Sequence, residues 1–391
     1  MELNDINPNV LSVKPSSMRE FDHEISDDPQ IVKLTLGEPN FNVPEHIKQA
    51  AMDAIKDNHS HYPYFWGYPE LREAAAKYYQ DKFGYHYGAD QIVVTVGATE
   101  GVADVIETLF KPGEAVILPS PAYPLYDASI SLHGLEQVRV DTSKTDYILT
   151  PEAVQKAIDD NPGLKVRGLI LTDPNNPTGV AYTEDQLKAL VPVLKENHIW
   201  VISDEIYGEL TYGQKHYTLS KWLPDQTVIV NGLSKSHAMT GWRLGFVFGP
   251  SGFIDEIAKV HQFTVTTPTS IIQYAGIEAM KHGQNDAEPM RQAYEKRRDF
   301  VAKEMTEAGF DVVHPGGAFY VFAKIPASLN MDSWTFAKTL AKEYHIGLFA
   351  GAAFGDDECI RISYAASDEA LTAAMKAIKQ MVADKSVVSD K

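Results

Sequence analysis

From about residue 90 onwards, short runs of apolar residues alternate with segments that have the spacing of amphipathic helices. Strands and helices in alternation are typical of βαβ units, in which parallel strands join into one sheet. Because the apolar runs contain few polar residues, we expect helices to cover both faces of that sheet. A helix is predicted over residues 184–198, with Thr183 as its N-cap. The predicted strands are residues 91–96, 115–119, 166–172, 199–203 and 227–231.

The last part of the chain has a different pattern. Short strands predicted over 310–313, 319–322 and 360–364 lie among helices predicted over 333–344 and 367–382, which suits a smaller α+β domain. The first forty or so residues are rich in Pro and Asn and show little periodicity, so we expect an arm there. We therefore predict an arm with part of the small domain at 1–44, a large domain at 45–285 and a small C-terminal domain at 286–391.

The charge balance restricts the partners of this chain. Its 53 acidic and 35 basic residues give a formal net charge of −18. Such a field repels nucleic-acid phosphates and anionic lipid, so neither nucleic acid nor a membrane surface is an expected partner. Any anionic ligand must then be held by local donors, which draws attention to individual arginines.

Cysteine and histidine usage argues against a metal site. Cys359 is the single cysteine, which rules out an internal disulfide, and we expect it to be a small buried side chain. The histidines form no H-E-x-x-H motif, so no metal is expected. The chain starts without a basic segment followed by an apolar run, and no apolar stretch reaches membrane-spanning length, which favours a cytoplasmic location.

Polar residues follow four of the predicted strands. Ligands of open α/β sheets bind beyond the carboxyl ends of the strands, so these are the segments to examine for chemistry. The segments are GAT at 97–99, DPNNPTG at 173–179, DEIY at 204–207 and GLSK at 232–235.

These segments resemble the class I aminotransferases, which belong to the fold-type I superfamily of pyridoxal-phosphate (PLP) enzymes. GLSKSHAMTGWRLG is similar to the family's lysine motif S-K-x-x-x-x-x-G-x-R-x-G, and LTLGEPNF, NNPTG, SDEIY and RISYA occur in the family in this same order. One such motif alone would be weak evidence of relationship. All five motifs in the same order make the resemblance specific, and it covers essentially the whole chain. It implies an α/β fold of PLP-dependent transferase type I, with a mostly parallel sheet, helices on both faces and a smaller α+β domain.

The resemblance implies roles for four residues around the cofactor ring. Lys235 would carry PLP as a Schiff base and shuttle a proton, and apolar surroundings together with Arg243 should lower its pKa. Asp204 would face the pyridine nitrogen and keep it protonated, although Asp after a strand also caps turns. Tyr207 and Asn176 would hydrogen-bond the ring's phenolic oxygen. The alternatives are a core residue for Tyr207 and a turn residue for Asn176.

The phosphate of the cofactor needs donors in spite of the negative net charge. The resemblance places it at the start of a helix, where backbone N–H groups of Ala98 and Thr99 and the helix dipole favour an anion. Arg243 would add a paired hydrogen bond, and Ser234 its hydroxyl.

Two tyrosines complete the expected cofactor site. Tyr62 matches the position from which the family sends a tyrosine to the phosphate of the partner subunit, which implies a homodimer with shared active sites. The aromatic run around Tyr62 also suits a hydrophobic dimer patch, and the two interpretations are compatible. Tyr123 would stack on the cofactor ring, with a packed core tyrosine as the alternative.

Substrate binding is assigned to Arg361, Gly37 and again Asn176. A planar guanidinium matches an α-carboxylate, and Arg361 lies in an otherwise apolar strand. Its alternative is an ion pair within the small domain. Gly37 would bring backbone close to the substrate, and its alternative is an ordinary turn glycine.

The resemblance is closest to bacterial aromatic amino-acid aminotransferases, so aromatic donors are expected. Relatives that prefer aspartate often have a lysine two residues after the strand-end glycine, where this chain has Thr99. Aminotransferases of N-acetyl-diaminopimelate or aspartate, and a PLP carbon–sulfur lyase of the cystathionine type, are the nearer alternatives. A PLP-binding transcription regulator would need a basic helix-turn-helix domain, for which this acidic chain has no room. A nicotinamide dehydrogenase is also disfavoured, because no G-x-G-x-x-G motif follows the predicted strands.

Overall fold

A computed structural model describes residues 5–386 of the chain. The N-terminal segment is not a bare arm, because it contains helices α1 (Pro8–Ser12) and α2 (Ser17–Glu24) before strand β1 (Val32–Lys33). The side chain of Asn7 caps α1 and that of Ser16 caps α2, a role for which both residue types are suited. Phe21 of α2 is buried in the core of the C-terminal part. The segment thus contributes side chains to the core of the C-terminal part.

The central element is a sheet of seven strands in the order β2-β8-β7-β6-β5-β3-β4. All neighbouring pairs are parallel except those of β8, which is antiparallel to both β2 and β7. The mostly parallel α/β sheet expected from the sequence is therefore confirmed. Its strands are β2 (Ile92–Thr95), β3 (Glu114–Ser120), β4 (Glu136–Asp141), β5 (Lys165–Thr172), β6 (Trp200–Asp204), β7 (Thr227–Gly232) and β8 (Gly245–Phe248).

Helices cover both faces of this sheet, as its apolar strands require. One face packs against α3, α4, α7, α8 and α11, and the other against α5, α6 and α10. The predicted N-cap Thr183 accepts a hydrogen bond from the backbone of Gln186, whose side chain bonds back to Thr183. The helices are α3 (Glu45–Lys56), α4 (Pro69–Phe83), α5 (Gly97–Leu109), α6 (Pro124–Leu132), α7 (Pro151–Asp159), α8 (Glu184–Glu196), α9 (Leu233–Ser236), α10 (Phe253–Thr264) and α11 (Ser270–His282).

The C-terminal part is built on a second, antiparallel sheet in the order β12-β13-β10-β9. Strand β1 pairs in parallel with β11 beside it. The division predicted at residue 285 falls between α11 and α12, and it stays a prediction. The elements are α12 (Ala287–Glu307), β9 (Asp311–Val312), β10 (Tyr320–Lys324), α13 (Ser333–Tyr344), β11 (Ile346–Gly347), β12 (Phe349–Ala350), β13 (Cys359–Ser363) and α14 (Asp368–Ser386).

Cys359 is buried on β13, as expected for a thiol that packs as a small apolar residue. Burial raises the pKa of its thiol, and a raised pKa makes the thiolate scarce. Within residues 5–386, no helix is both long and apolar enough to cross a membrane.

Candidate active site

The polar segments that follow β2, β5, β6 and β7 meet at one edge of the large sheet. Strands β5, β6 and β7 are parallel neighbours, so their carboxyl ends coincide. Strand β2 runs in the same direction as β7, because β8 lies between them and is antiparallel to both. This topology brings Asn176, Asp204, Lys235 and the start of α5 to the same edge.

Lys235 lies on α9, the single helical turn that follows β7. Its side chain is partly buried, and its Nζ donates a hydrogen bond to the carbonyl oxygen of Gly37 at 2.6 Å. The same nitrogen lies 5.9 Å from the ring centroids of both Tyr207 and Phe319. Lys235 is therefore not a solvated surface lysine, because its amine is hydrogen bonded to the backbone and lies beside two aromatic rings.

The pKa of Lys235 is lowered to about 8, chiefly because burial disfavours its charged form. Glu38 and Asp204 act in the opposite direction, while Arg243 and Arg361 lower the pKa further. The predicted direction and the contribution of Arg243 are thus both found. A lysine with such a pKa has a substantial fraction of free amine near neutral pH, which is the form that attacks a carbonyl carbon.

Asp204 ends β6 and is buried. Tyr126 donates a hydrogen bond to its Oδ2 at 2.8 Å, and Thr172 in turn donates to the Tyr126 hydroxyl at 2.7 Å. The backbone N–H of Ile206 binds Oδ1 at 3.2 Å, so Asp204 also closes a turn, which was the alternative interpretation. Burial raises its pKa to about 6. Within residues 5–386 no ion pair neutralises this carboxylate, which can therefore receive a protonated ring nitrogen.

Arg361 lies on β13, and its side chain is buried between the two sheets. Nη1 donates to Oδ1 of Asn176 at 2.9 Å, and Nη2 donates to the backbone oxygen of Thr35 at 2.8 Å. Nε is buried without a hydrogen-bond partner. Among the residues described, no carboxylate pairs with Arg361, so the predicted alternative of an ion pair in the small domain is wrong. A buried guanidinium with a spare donor and no anion is suited to receive a carboxylate.

Aromatic rings surround the guanidinium of Arg361. Its Cζ lies 4.4 Å from the ring centroid of Tyr320, 4.7 Å from that of Phe354 and 5.2 Å from that of Phe349. Such contacts hold the guanidinium in place without neutralising its charge. These three aromatic residues were not identified from the sequence.

Tyr207 and Gly37 are linked through Tyr320. The hydroxyl groups of Tyr207 and Tyr320 are hydrogen bonded at 2.9 Å, and both side chains are buried. A Cβ on Gly37 would lie 2.6 Å from the Tyr320 hydroxyl oxygen. Gly37 is therefore required by the close approach of Tyr320 and not by an ordinary turn, while its carbonyl oxygen accepts from Lys235.

The start of α5 lies against Arg243. Gly97 has a φ of +77°, and a Cβ there would lie 2.5 Å from Nη2 of Arg243. The guanidinium is exposed, and its Nη1 donates a hydrogen bond to the carbonyl oxygen of Thr240 at 3.0 Å. In the part of the chain that is described, Arg243 has no acidic partner. Ala98 is half-buried and Thr99 exposed in the first turn of α5, where backbone N–H groups have no acceptor within the helix.

The remaining predicted residues are Ser234, Tyr123 and Tyr62. Ser234 is buried on α9, next to Lys235. Tyr123 is half-buried, and its ring packs edge-on against that of Tyr126 at 6.1 Å. Tyr62 is 87% exposed and is not brought to the other site residues within this chain. Its contact with a partner subunit stays a prediction.

Together these residues provide the kinds of groups that PLP requires. The cofactor requires an amine, a carboxylate for its ring nitrogen, a donor for its phenolic oxygen and an anion site for its phosphate. Lys235, Asp204, Tyr207 and the start of α5 with Arg243 provide groups of these four kinds at one edge. The orphaned Nε of Arg361 remains for a substrate carboxylate.

Comparison with known proteins gives the same result. The family model "Aminotransferase class I and II" matches residues 29–378. A probable N-acetyl-LL-diaminopimelate aminotransferase of Bacillus subtilis is 38% identical over 383 residues, which cover 97% of this chain and 96% of the relative. Aromatic-amino-acid aminotransferase 2 of Thermococcus litoralis is 34% identical over 389 residues, or 96% of this chain and 98% of the relative.

The fold comparison agrees with the sequence comparison. The structure of the aspartate aminotransferase of Thermus thermophilus with maleate superposes with a TM-score of 0.92 at 32% identity. The match covers 97% of this chain and 100% of that one. The chain belongs to the class I and II aminotransferase family and is a pyridoxal-phosphate-dependent enzyme of fold type I.

Proposed function

We propose that the enzyme transfers the amino group of an aromatic L-amino acid to a 2-oxo acid such as 2-oxoglutarate. Transfer would follow a ping-pong scheme through Lys235. The observation that carries this proposal is the buried Arg361, whose charge has no carboxylate partner among the described residues and whose Nε has no acceptor. A substrate α-carboxylate supplies both the charge and the acceptor that are missing.

The groups around Lys235 support individual roles. PLP, when bound, supplies an electron sink that stabilises negative charge on the substrate α-carbon. Lys235 would be its attachment point, and its freed Nζ would take the proton from the α-carbon and return it to the cofactor side. Asp204 would hold a proton on the ring nitrogen, while Tyr207 and Asn176 would bind the ring oxygen. Asn176 would thereby hold both the cofactor and, through Arg361, the substrate.

The proposal also assigns residues to the phosphate of the cofactor and to a face of its ring. The N–H groups of Ala98 and Thr99, the hydroxyl of Ser234 and the guanidinium of Arg243 would bind the phosphate, and Tyr123 would stack on the ring. Support comes from the position of Arg243 against Gly97 and from its lack of an acidic partner in residues 5–386.

The choice of aromatic donors rests on the surroundings of Arg361 and on Thr99. Phe349, Phe354 and Tyr320 form an aromatic wall around the guanidinium, and Thr99 offers no cation for a second carboxylate. The aromatic aminotransferase of T. litoralis supports the same choice. N-acetyl-LL-diaminopimelate is the second candidate, because the probable N-acetyl-LL-diaminopimelate aminotransferase of B. subtilis is 38% identical to this chain.

Half-reactions distinguish these substrates. The purified enzyme is mixed with one amino acid at a time, and the visible absorbance of the lysine-bound cofactor is followed without any 2-oxo acid. We expect the fastest loss of absorbance with tyrosine, phenylalanine or tryptophan. A faster reaction with aspartate or N-acetyl-LL-diaminopimelate would overturn the aromatic assignment. Release of pyruvate and ammonia from cystathionine would identify a lyase instead, and Lys235→Ala serves as the blank.

We also propose a homodimer with shared active sites and a cytoplasmic location. Tyr62 and Phe263 each expose 87% of their surface, which an apolar subunit interface would cover. Light scattering should give twice the chain mass, and a monomer would contradict the dimer. The single buried thiol of Cys359 suits a reducing compartment, and cell fractionation tests the location.

A further inference from the structure

Next to the start of α5 lies a pair of charged groups that the reaction does not use, one fully buried and the other partly buried. Glu100 belongs to the first turn of α5, one residue after Thr99. Its Oε2 accepts a hydrogen bond from the backbone N–H of Val96, and its Oε1 accepts from Nδ1 of His261 at 2.6 Å. His261 lies on α10 and is fully buried. The pair thus ties α10 to the turn that we assign to the cofactor phosphate.

Asp104 lies one turn further along α5, with its Oδ2 3.7 Å from Nδ1 of His261. This oxygen is buried and has no hydrogen-bond partner. Burial lowers the pKa of His261, but Asp104 and Glu100 more than offset this and raise it to about 9. Burial raises the pKa of Asp104 to about 6. At neutral pH His261 is therefore a cation that faces Glu100 and Asp104.

Glu100 creates an electrostatic conflict with an anion at the same turn. A carboxylate in the first turn of a helix is favoured by the dipole when it stands alone, but it repels a phosphate bound to the neighbouring N–H groups. The conflict is reduced if a cation neutralises the carboxylate and holds it turned back towards Val96.

We propose that His261 is a positioning residue for the cofactor: it neutralises Glu100 and fixes it on Val96, so that the first turn of α5 binds the phosphate. The inference rests on the proposed phosphate site. His261 does not itself contact the cofactor, and it acts through Glu100.

The competing explanation of this cluster is a binding site for a divalent cation, because ligand atoms of Glu100, Asp104 and His261 lie within 4.8 Å of one another. A histidine that binds a metal almost always donates its other ring N–H to an acceptor. Nε2 of His261 is buried with no partner, so this supporting contact is missing. In the ion pair the Nε2–H also lacks an acceptor, but Nδ1 and Oε1 of Glu100 already lie at hydrogen-bond distance, 2.6 Å, and Oε2 already accepts from Val96. The cluster is therefore held together without a metal, which favours the ion pair.

The test measures the dissociation constant of PLP for the apoenzyme, with inorganic phosphate as a competitor. His261→Asn keeps a donor near the position of Nδ1 but removes the charge, and we expect a loss of affinity of roughly 10-fold. In the double variant Glu100→Gln with His261→Asn, the repelling charge is gone and both hydrogen bonds can be kept. We expect its affinity to return to within about 3-fold of the natural enzyme.

Matched variants separate this role from general damage. Glu107→Gln removes an exposed carboxylate from the same helix and should leave the affinity unchanged. Arg243→Gln should weaken PLP and phosphate binding; if it does not, the phosphate site itself is misassigned. Circular dichroism and thermal unfolding of each apoenzyme check the fold.

Two results would overturn the proposal. One is an His261→Asn enzyme that binds PLP as well as the natural enzyme while Arg243→Gln does not. The other is a double variant as weak as His261→Asn alone, which indicates only lost packing. If His261→Asn does not fold, the single variant Glu100→Gln is measured instead. We expect its PLP affinity to be within about 3-fold of that of the natural enzyme, and a loss of roughly 10-fold would overturn the proposal.

Discussion

Nη1 of Arg361 and Oδ1 of Asn176 are hydrogen bonded at 2.9 Å although the two residues lie in parts of the chain built on different sheets, 185 positions apart. Asn176 follows β5 of the large sheet, and Arg361 belongs to β13 of the small one. The bond therefore couples the proposed substrate residue directly to the proposed cofactor residue.

Replacing Arg361 with lysine tests the substrate role. An ammonium cannot make two parallel hydrogen bonds to a carboxylate, so we expect kcat/KM to fall by about 100-fold or more with every amino-acid donor. Steady-state kinetics give the value. Arg291→Lys on α12, where the arginine pairs with Glu288 near the surface, is the matched control and should leave kcat/KM unchanged. If Arg361→Lys has the same kcat/KM as Arg291→Lys, Arg361 does not bind the substrate.

Gly37→Ala tests the close approach of Tyr320. The added Cβ would lie 2.6 Å from the Tyr320 hydroxyl oxygen, so something must shift, and we expect a loss of about 1–2 kcal/mol in unfolding free energy. In a Tyr320→Phe background that oxygen is absent, and the cost of Gly37→Ala should be smaller. Calorimetry on the four apoenzymes gives both costs. Equal costs in the two backgrounds would show that the hydroxyl is not the constraint.

Asp204→Asn tests the buried carboxylate. An amide cannot hold a full positive charge on the ring nitrogen, so we expect kcat to fall by at least about 100-fold while PLP remains bound. The measurement is kcat together with the cofactor content of the purified protein. Tyr126→Phe removes one hydrogen bond to the carboxylate but leaves its charge, and should cost much less. A kcat within a few fold of the natural enzyme in Asp204→Asn would exclude the assigned role.

The pKa of Lys235 sets the pH dependence of cofactor attachment. Burial disfavours the ammonium form, and so the fraction of reactive free amine increases as pH rises through about 8 and levels off above it. The attachment rate of PLP to the apoenzyme, followed by stopped-flow absorbance, should show this profile. Repeating it with pyridoxal excludes titration of the phosphate. Arg243→Gln should move the profile to higher pH, because Arg243 lowers the pKa. A rate that still climbs at about pH 10 would contradict the lowered pKa.

Much of the fold could be predicted because its strands are apolar and its helices carry clear signals. The helix predicted over 333–344 has the bounds Ser333–Tyr344, and the capping box at Thr183 begins α8 as expected. Strands β4 and β8 were missed. In β4 only Val138 and Val140 are buried, so its apolar content is low. The short helices α1 and α2 were missed because each has too few apolar residues for a periodic pattern.

The site could be predicted only as far as its residues belong to local motifs. Lys235, Asp204 and Asn176 each lie in such a motif, and sheet topology brings them to one edge. Tyr126 and Tyr320 were not found, because their importance comes from contacts across long stretches of chain. Tyr126 lies 78 residues from Asp204, and Tyr320 lies 113 from Tyr207. Only the folded structure places them together.

Borohydride reduction shows directly whether Lys235 holds the cofactor at the carboxyl edge of the large sheet. Reduction makes the bond between lysine and PLP permanent, and peptide mass spectrometry then locates it. We expect the phosphopyridoxyl group on Lys235 alone, and none in a Lys235→Ala enzyme treated in the same way. A label on another lysine, or an unlabelled Lys235 in active enzyme, would contradict the account.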